Sequence, residues 1–137
     1  MTLRSVSRPR PTPSALTAPF WEHASRRELV RPRCDTCERS FFTPQAACPA
    51  CLSESWTWTL SSGLGRIYSH TTCHRAPAPG FEVPYVLAVV DLEEGWSMLT
   101  DVVECDPADV SIGIAVAVTW LDIGDGFLLP VFRPVRH

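Results

Sequence analysis

Two pairs of cysteines, each separated by two residues, constrain the fold of this chain more than any other feature. They lie in Cys34-Asp35-Thr36-Cys37 and, after ten intervening residues, in Cys48-Pro49-Ala50-Cys51. Each pair forms a tight turn that presents two thiolates on one side, and a short loop brings the two turns face to face to complete a tetrahedron of sulfur. The spacing therefore predicts a rubredoxin-like zinc ribbon with Cys34, Cys37, Cys48 and Cys51 as the metal ligands.

Structural zinc is the favoured occupant of such a site, and iron, which uses the same thiolates, remains open. Two disulfides or a redox dithiol are disfavoured, since a redox CxxC motif is normally single and lies beside a βαβ unit. A site closed by four protein ligands leaves no position for a substrate, so the metal would stabilise the fold. Segments 41–44 and 56–59 are predicted to be a strand that covers the metal and its return strand. The remaining thiols, Cys73 and Cys105, are expected to be buried.

From residue 65 onward the pattern changes to short strands separated by turns. Five short strands with few open edges favour a closed Greek-key barrel of the OB type over an open sheet. The predicted fold class is mostly β, with an N-terminal helix, the zinc ribbon and a C-terminal five-stranded OB-fold barrel. The predicted strands are 65–74, 85–92, 96–103, 115–121 and 127–133, with a one-turn helix at 106–110.

The N-terminal part of the chain divides into a tail and a short helix. Its first nineteen residues contain arginine and proline but no acid, which predicts a disordered tail. No continuous apolar run follows the arginines, so we expect no secretory signal and a cytoplasmic protein. Phe20, Trp21 and Ala24 then share one side of a helix that is too short to stand alone, and it must dock on its own domain or on a partner. The predicted units are a disordered tail over 1–19, a docking helix over 20–31, the zinc ribbon over 32–64 and the OB-fold over 65–137.

The charge distribution limits the kinds of partner. Residues 65–137 hold ten acidic residues against four arginines. This excess of negative charge opposes contact with a phosphate backbone, so we expect no nucleic acid as a ligand. The longest apolar run, at 83–90, is far shorter than the ~20 residues of a membrane helix, and we expect no membrane span.

Several short motifs spread over residues 20–137 give the chain a family resemblance. They are Phe20-Trp21-Glu22, Leu29-Val30-Arg31-Pro32-Arg33-Cys34, Cys37, Phe42-Thr43-Pro44, Cys48-Pro49-Ala50-Cys51, Ser62-Gly63-Leu64-Gly65, Pro84-Tyr85, Ile112-Gly113 and Phe132-Arg133-Pro134. With these stretches, in this order, the chain resembles the DUF35 family, the zinc-ribbon plus OB-fold proteins associated with acyl-CoA enzymes. It departs from the family pattern after the second cysteine of each knuckle (each CxxC turn), where the frequent glycine is Glu38 in one knuckle and Leu52 in the other.

The resemblance implies a small accessory subunit in a hetero-oligomer with an acyl-CoA enzyme. The partner would be a thiolase, a ketosynthase-like acyltransferase or a MaoC-type hydratase, and the chain would help to form the complex or its acyl-CoA channel. The helix would meet the partner through Phe20 and Trp21. If CoA is a ligand of the complex, its phosphates need cations, and Arg31, Arg33 and Arg75 are the candidates because arginine binds phosphate in a bidentate manner.

Two other functions stay open at this point. One is a stand-alone enzyme that acts on an acyl thioester or a pathway intermediate, and the other is an oligonucleotide-binding module. His70, His74, Asp101 and Glu104 are the plausible acid–base groups of the barrel, but their spacing matches no recognised motif. We therefore assign no catalytic residue.

Overall fold

The computed structural model describes residues 2–4 and 8–135, which contain eight strands and one α-helix. None of the helices in this part of the chain is long and apolar enough to cross a lipid bilayer. In chain order the elements are β1 (Thr2–Arg4), α1 (Ala18–Ser25), β2 (Val30–Cys34), β3 (Trp56–Leu60), β4 (Leu64–Cys73), β5 (Tyr85–Leu92), β6 (Trp96–Val102), a one-turn 3-10 helix (Pro107–Asp109), β7 (Ala115–Asp122) and β8 (Leu128–Pro134).

Strands β4 to β8 close into the five-stranded OB-type barrel that the sequence predicts. Strand β5 pairs antiparallel with β4 and β6, and β7 pairs antiparallel with β4 and β8. A parallel bridge between Val102 and Phe132 joins β6 to β8 and completes the ring. The side chains of Ile67, Val90 and Phe132 fill the interior. The barrel and its one-turn helix are thus confirmed, with each strand end within one residue of its predicted position.

Strands β2 and β3 form the antiparallel pair of the ribbon. Val30 lies opposite Leu60 and Cys34 lies opposite Trp56, so the pair carries the first metal ligand at one end and meets the barrel at the other. The alternation of aromatic and threonine residues in Trp56–Leu60 suits a half-buried strand. A strand over the predicted 56–59 is therefore confirmed, but it pairs with β2 rather than with segment 41–44.

The predicted covering strand over 41–44 is wrong, because the segment pairs with β2 only through the single bridge between Arg33 and Ser40. The ring of Phe41 lies edge-on to Trp56 and packs beside the cysteines. The ring of Phe42 packs toward Phe20 and Trp96, at 5.4 Å between ring centres in both cases. After the bridge the segment therefore packs between the ribbon, the helix and the barrel without forming a strand.

Helix α1 docks on its own chain. Phe20 is only 5% exposed, and its ring centre lies 5.4 Å from that of Phe42 and 6.2 Å from that of Trp58. Together with Ala24 it joins a core that continues through the ribbon into the barrel. The expectation that Phe20 contacts a partner is corrected to a core role, because its ring is enclosed within the chain. Trp21 is half-buried and keeps part of its surface exposed.

The segment before the helix lies along the barrel, which corrects the predicted disorder of residues 1–19 over their described part. Thr2–Arg4 pairs in parallel with the end of β7. Arg8 forms an ion pair with Asp101 at 2.6 Å, and Arg10 donates a hydrogen bond to the carbonyl of Gly124 at 2.9 Å. The composition of this segment predicted disorder, whereas these two arginines find acceptors on the barrel. Residues 1 and 5–7 lie outside the described residues.

Candidate functional site

The four cysteines predicted as ligands meet at one end of the ribbon, and all their Sγ atoms lie within 4.8 Å of one another. The Sγ–Sγ distance is 3.6 Å between Cys34 and Cys51 and 3.7 Å between Cys37 and Cys48. Tetrahedral coordination with metal–sulfur bonds of ~2.3 Å would place the sulfurs ~3.8 Å apart, so the spacing fits a metal ion. A disulfide bond is only ~2.05 Å long, and the cysteines are free thiols, which argues against the two-disulfide alternative.

Both knuckles use the same hydrogen-bonded turn. The N–H of Glu38 donates to the carbonyl of Cys34 at 3.0 Å, and the N–H of Leu52 donates to the carbonyl of Cys48 at 2.8 Å. Glu38 and Leu52 both have a φ of 67°, in the left-handed region that glycine adopts most readily. The turn geometry is therefore kept although neither position is glycine.

Backbone donors favour the thiolate form of the two fully buried cysteines. The N–H of Cys37 points at the sulfur of Cys34 at 3.4 Å and contributes most to lowering the Cys34 pKa to about 6. The N–H of Cys51 likewise lowers the pKa of Cys48. Cys51 differs, since the N–H of Ser53 lowers its pKa but desolvation and the neighbouring thiols together raise it to about 11. Four negative sulfurs cannot share this space without a cation, so the cluster suits a metal ion.

Hydrogen bonds anchor the first knuckle to the ribbon. The carboxylate of Asp35 accepts hydrogen bonds from the hydroxyls of Ser55 and Thr57, each at 2.9 Å. Four thiolates would complete a tetrahedral site, leaving no open position for a substrate. The arrangement can stabilise the ribbon, but it has no means of activating water or a carbonyl group.

The three arginines considered for CoA phosphates have different surroundings. Arg31 is 7% exposed, and its guanidinium donates to the Ser40 hydroxyl and to two carbonyls of β3. Its expected phosphate role is corrected to a structural one, because its donors are used inside the ribbon. Arg33 is half-buried with an oxygen of Glu38 at 3.7 Å, and Arg75 is exposed in the loop after β4.

The acid–base groups named from the sequence have separate surroundings. His70 and His74 are exposed, one on β4 and one just after it. Asp101 is held in the ion pair described above, and Glu104 lies 3.8 Å from the guanidinium of Arg133. Two carboxylates that each neutralise an arginine are better suited to holding the structure than to transferring protons.

The two cysteines outside the cluster are half-buried, which corrects the expectation of full burial. Cys73 lies beside Tyr85 on the neighbouring strand, and a hydrogen bond with the thiol is the main cause of a raised Tyr85 pKa. The neighbour of the Cys73 thiol is therefore the phenol of a tyrosine, which is a poor base for activating a thiol.

One acidic residue that the sequence did not single out joins the ribbon to the barrel. Glu94, in the turn between β5 and β6, accepts hydrogen bonds from the hydroxyl of Ser61 at 2.7 Å, the N–H of Ser62 at 2.8 Å and the indole of Trp96 at 2.8 Å. Desolvation would raise the pKa of Glu94, but these donors outweigh it and lower the pKa. The predicted strands 85–92 and 96–103 place a turn at this position, whereas no local pattern shows that the Glu94 carboxylate reaches the linker between the ribbon and the barrel.

No sequence pattern predicted the cavity of about 490 Å³ that lies beside α1. The helix, the loop after Phe41 and strands β6 and β8 form its walls, and Arg8 and Asp101 stand at one end. A second cavity of about 360 Å³ shares Arg8 and Asp101 with the first. The main apolar side chains of the larger cavity are Trp21, Phe42, Met98, Leu99, Leu129 and Val131.

Comparison with known proteins matches both parts of this architecture. The family model for the rubredoxin-like zinc ribbon domain of ChsH2 matches residues 21–57, and the model for the C-terminal OB-fold domain of ChsH2 matches residues 58–121. A chain of the solved structure of an Ltp2-ChsH2(DUF35) aldolase superposes with a TM-score of 0.84 and 38% identity, covering 91% of this chain and 98% of that one.

Curated relatives extend the match to whole proteins and to parts of larger ones. A "probable enoyl-CoA hydratase alpha subunit" of Thermomonospora curvata is 39% identical over 93% of this chain, which spans only 40% of that relative. A "DUF35 domain-containing scaffold protein" of Methanocaldococcus jannaschii is 36% identical, with 85% of this chain and 89% of the relative covered. The ribbon, the barrel and these matches together show that the chain belongs to the DUF35 family of zinc-ribbon and OB-fold proteins.

Proposed function

We propose that this chain is a non-catalytic accessory subunit that associates with an acyl-CoA-processing enzyme and helps to form the complex or its acyl-CoA channel. The observation that carries the proposal is the match to 98% of the DUF35 chain in the Ltp2-ChsH2(DUF35) aldolase. The relatives named as a hydratase alpha subunit and as a scaffold protein support the same role. The partner would be a thiolase-like enzyme, a ketosynthase-like acyltransferase or a MaoC-type hydratase.

The chemistry of the described residues supports an accessory role. The four thiolates form a closed set, and the carboxylates of Asp101 and Glu104 lie beside arginines. We propose Zn²⁺ as the metal, because a rubredoxin-like zinc ribbon is the matching family and the sulfur spacing fits it. Metal analysis of protein from its native host tests zinc against iron. The free thiols and the metal site also suit the reducing cytoplasm, where we expect the protein to act.

The surface of the chain offers a small number of candidates for contact with the complex. Trp21 keeps part of its indole exposed and remains a candidate for the partner interface. Arg33 and Arg75 remain candidates for CoA phosphates, and Arg75 is the better exposed of the two. Charge reversal in Arg75→Glu should weaken CoA binding by the assembled complex. The Arg66→Glu variant, which carries the same charge reversal at an exposed arginine of β4, is the matched control.

Affinity capture of the tagged full chain from its native host tests the proposal. We expect an identified acyl-CoA enzyme at a fixed stoichiometry, whose turnover falls when this chain is removed and returns when the chain is added back. Turnover of an acyl thioester by the isolated chain, lost on a His70→Ala or Asp101→Asn substitution, would instead support the stand-alone enzyme. A partner outside the acyl-CoA enzymes would also refute the proposal.

A further inference from the structure

We propose that the cavity beside α1 binds an elongated apolar chain, with residues 8–17, which we name the strap, forming its border. The identification of this chain as the acyl group of a thioester rests on the proposed function. The cavity volume of about 490 Å³ falls within the ~300–1,000 Å³ that small-molecule sites occupy. The strap contributes Arg8 at one end of the cavity and Thr17 near the helix.

The strap crosses the part of the barrel through which OB-folds usually bind ligands. Arg8 lies over the ring of Phe81, in the loop between β4 and β5, at 4.4 Å from the ring centre. Arg10 lies over the ring of Phe127, just before β8, at 5.1 Å, and donates to Gly124 in the same loop. OB-folds take extended ligands between these two loops. The strap covers this route and leaves a smaller, apolar site between itself, α1 and the barrel.

The chemistry of the lining selects an apolar occupant. Several of the polar side chains on the wall already have partners within the chain. The Thr100 hydroxyl donates to the carbonyl of Pro130 at 3.1 Å, Thr17 bonds with Ser14, and Arg8 is paired with Asp101. Nε of Arg8 is buried without a hydrogen-bond partner, so a polar group of a ligand could be accepted at that end of the cavity. Along the rest of the wall a polar ligand would lose its hydration for few hydrogen bonds, whereas an alkyl chain gains by leaving water.

The Arg8–Asp101 ion pair sets the length of the site. The two side chains are 12% and 11% exposed, and they stand between the cavity of about 490 Å³ and the one of about 360 Å³. Truncating both members to alanine removes the side-chain atoms that separate the two cavities and should join them. The pair would then act as an end wall that limits how long a chain can enter.

Titration of the full-length, zinc-loaded chain with dodecanoate and with dodecanoyl-CoA, below their micelle concentrations, tests the site. We expect saturable 1:1 binding of both by isothermal calorimetry. Leu99→Arg, at a cavity residue that is 64% exposed, should weaken both at least tenfold. Leu60→Arg, the same change at a ribbon residue that is 61% exposed, should alter affinity less than twofold.

Chain-length preference tests the end wall. The Arg8→Ala/Asp101→Ala variant should raise the ratio of hexadecanoate to octanoate affinity at least fivefold. The matched Arg10→Ala/Asp125→Ala variant removes the second ion pair between the strap and the barrel and should leave the ratio unchanged.

The binding data would overturn the cavity proposal if dodecanoate showed no saturable binding, or if Leu99→Arg and Leu60→Arg behaved alike. Binding of dodecanoyl-CoA alone, insensitive to Leu99→Arg, would assign recognition to the nucleotide and refute the acyl site. An unchanged chain-length ratio would refute the end wall. If the chain forms the enzyme complex but binds no dodecanoate, the acyl site is refuted and the proposed function stands. If the chain binds dodecanoate but forms no complex, the proposed function is refuted and the acyl site stands.

Discussion

Replacing Phe20 with alanine should destabilise the isolated chain, because this ring lies where the helix, the ribbon and the barrel meet. Its centre lies 5.0 Å from that of Trp21, 5.4 Å from that of Phe42 and 6.2 Å from that of Trp58. Truncation of a buried phenylalanine costs ~3–5 kcal/mol, since transfer free energy is lost and a cavity remains. A domain has a net stability of only ~5–15 kcal/mol, so the loss is a large part of the total.

Urea unfolding in the presence of excess zinc, followed by circular dichroism, measures this loss. With an m-value of ~2 kcal/mol/M, the expected cost lowers the unfolding midpoint by ~1.5–2.5 M. Leu16→Ala provides a control just before the helix, because Leu16 is exposed and its truncation should change the stability by less than ~0.5 kcal/mol.

The experiment decides between a core role and a partner role for Phe20. If Phe20→Ala unfolded at the parental midpoint and lost only its enzyme partner, the core argument would be refuted and the partner contact expected from the sequence would be correct. A large fall in the midpoint of the isolated chain, with no partner present, supports the core role.

Three further predictions concern the other structural elements. Glu94→Gln should cost ~1–3 kcal/mol at pH 7, because a carboxylate that accepts three hydrogen bonds becomes a neutral amide. Since the Glu94 pKa is lowered from its ordinary 4.5, its stabilisation is present above that value and lost as the pH falls through the lowered pKa, so the difference between the melting temperatures of parent and variant should shrink as the pH is lowered below 4.5. Cys48→Ser should no longer bind one equivalent of zinc and should lose the part of the circular dichroism signal that comes from the ribbon, whereas Cys73→Ser should bind one equivalent of zinc. Equal zinc content in the two variants would contradict the assigned ligands. Gly65→Ala should lower the melting temperature by several degrees, because its Cβ would lie 2.4 Å from the carbonyl oxygen of Asp91 and force β4 and β5 apart, and an unchanged melting temperature would contradict that packing.

The barrel and the metal ligands could be predicted because their signals are local. Alternation of burial along β5, with Val86, Ala88 and Val90 inside, follows from the period of two along a strand. Glycine and proline mark the turns between strands. The CxxC spacing itself encodes the geometry of a knuckle, so the ligand set required no knowledge of distant contacts.

The contacts that could not be predicted join segments far apart in the sequence. Arg8 and Asp101 are separated by 93 positions, and Glu94 reaches Ser61 across 33. An arginine has the same local sequence signature whether it is solvated, as Arg75 is, or buried like Arg31. The tertiary fold decides between these states, because a buried guanidinium is stable only where carbonyls or carboxylates meet it.

The uneven charge of the chain has a structural explanation that links these observations. The first nineteen residues carry arginines without acids, and the barrel half carries the acidic excess. In the fold, Arg8 and Arg10 of the strap lie against Asp101 and Asp125 of the barrel, so the two charge biases meet. Arg8 is thus turned inward onto the Asp101 carboxylate, whereas Arg10 pairs with Asp125 at the surface and lies over the ring of Phe127. The strap therefore covers the face by which other OB-folds bind extended ligands, and its two cations already lie beside carboxylates, which weakens the attraction that a phosphate backbone would feel.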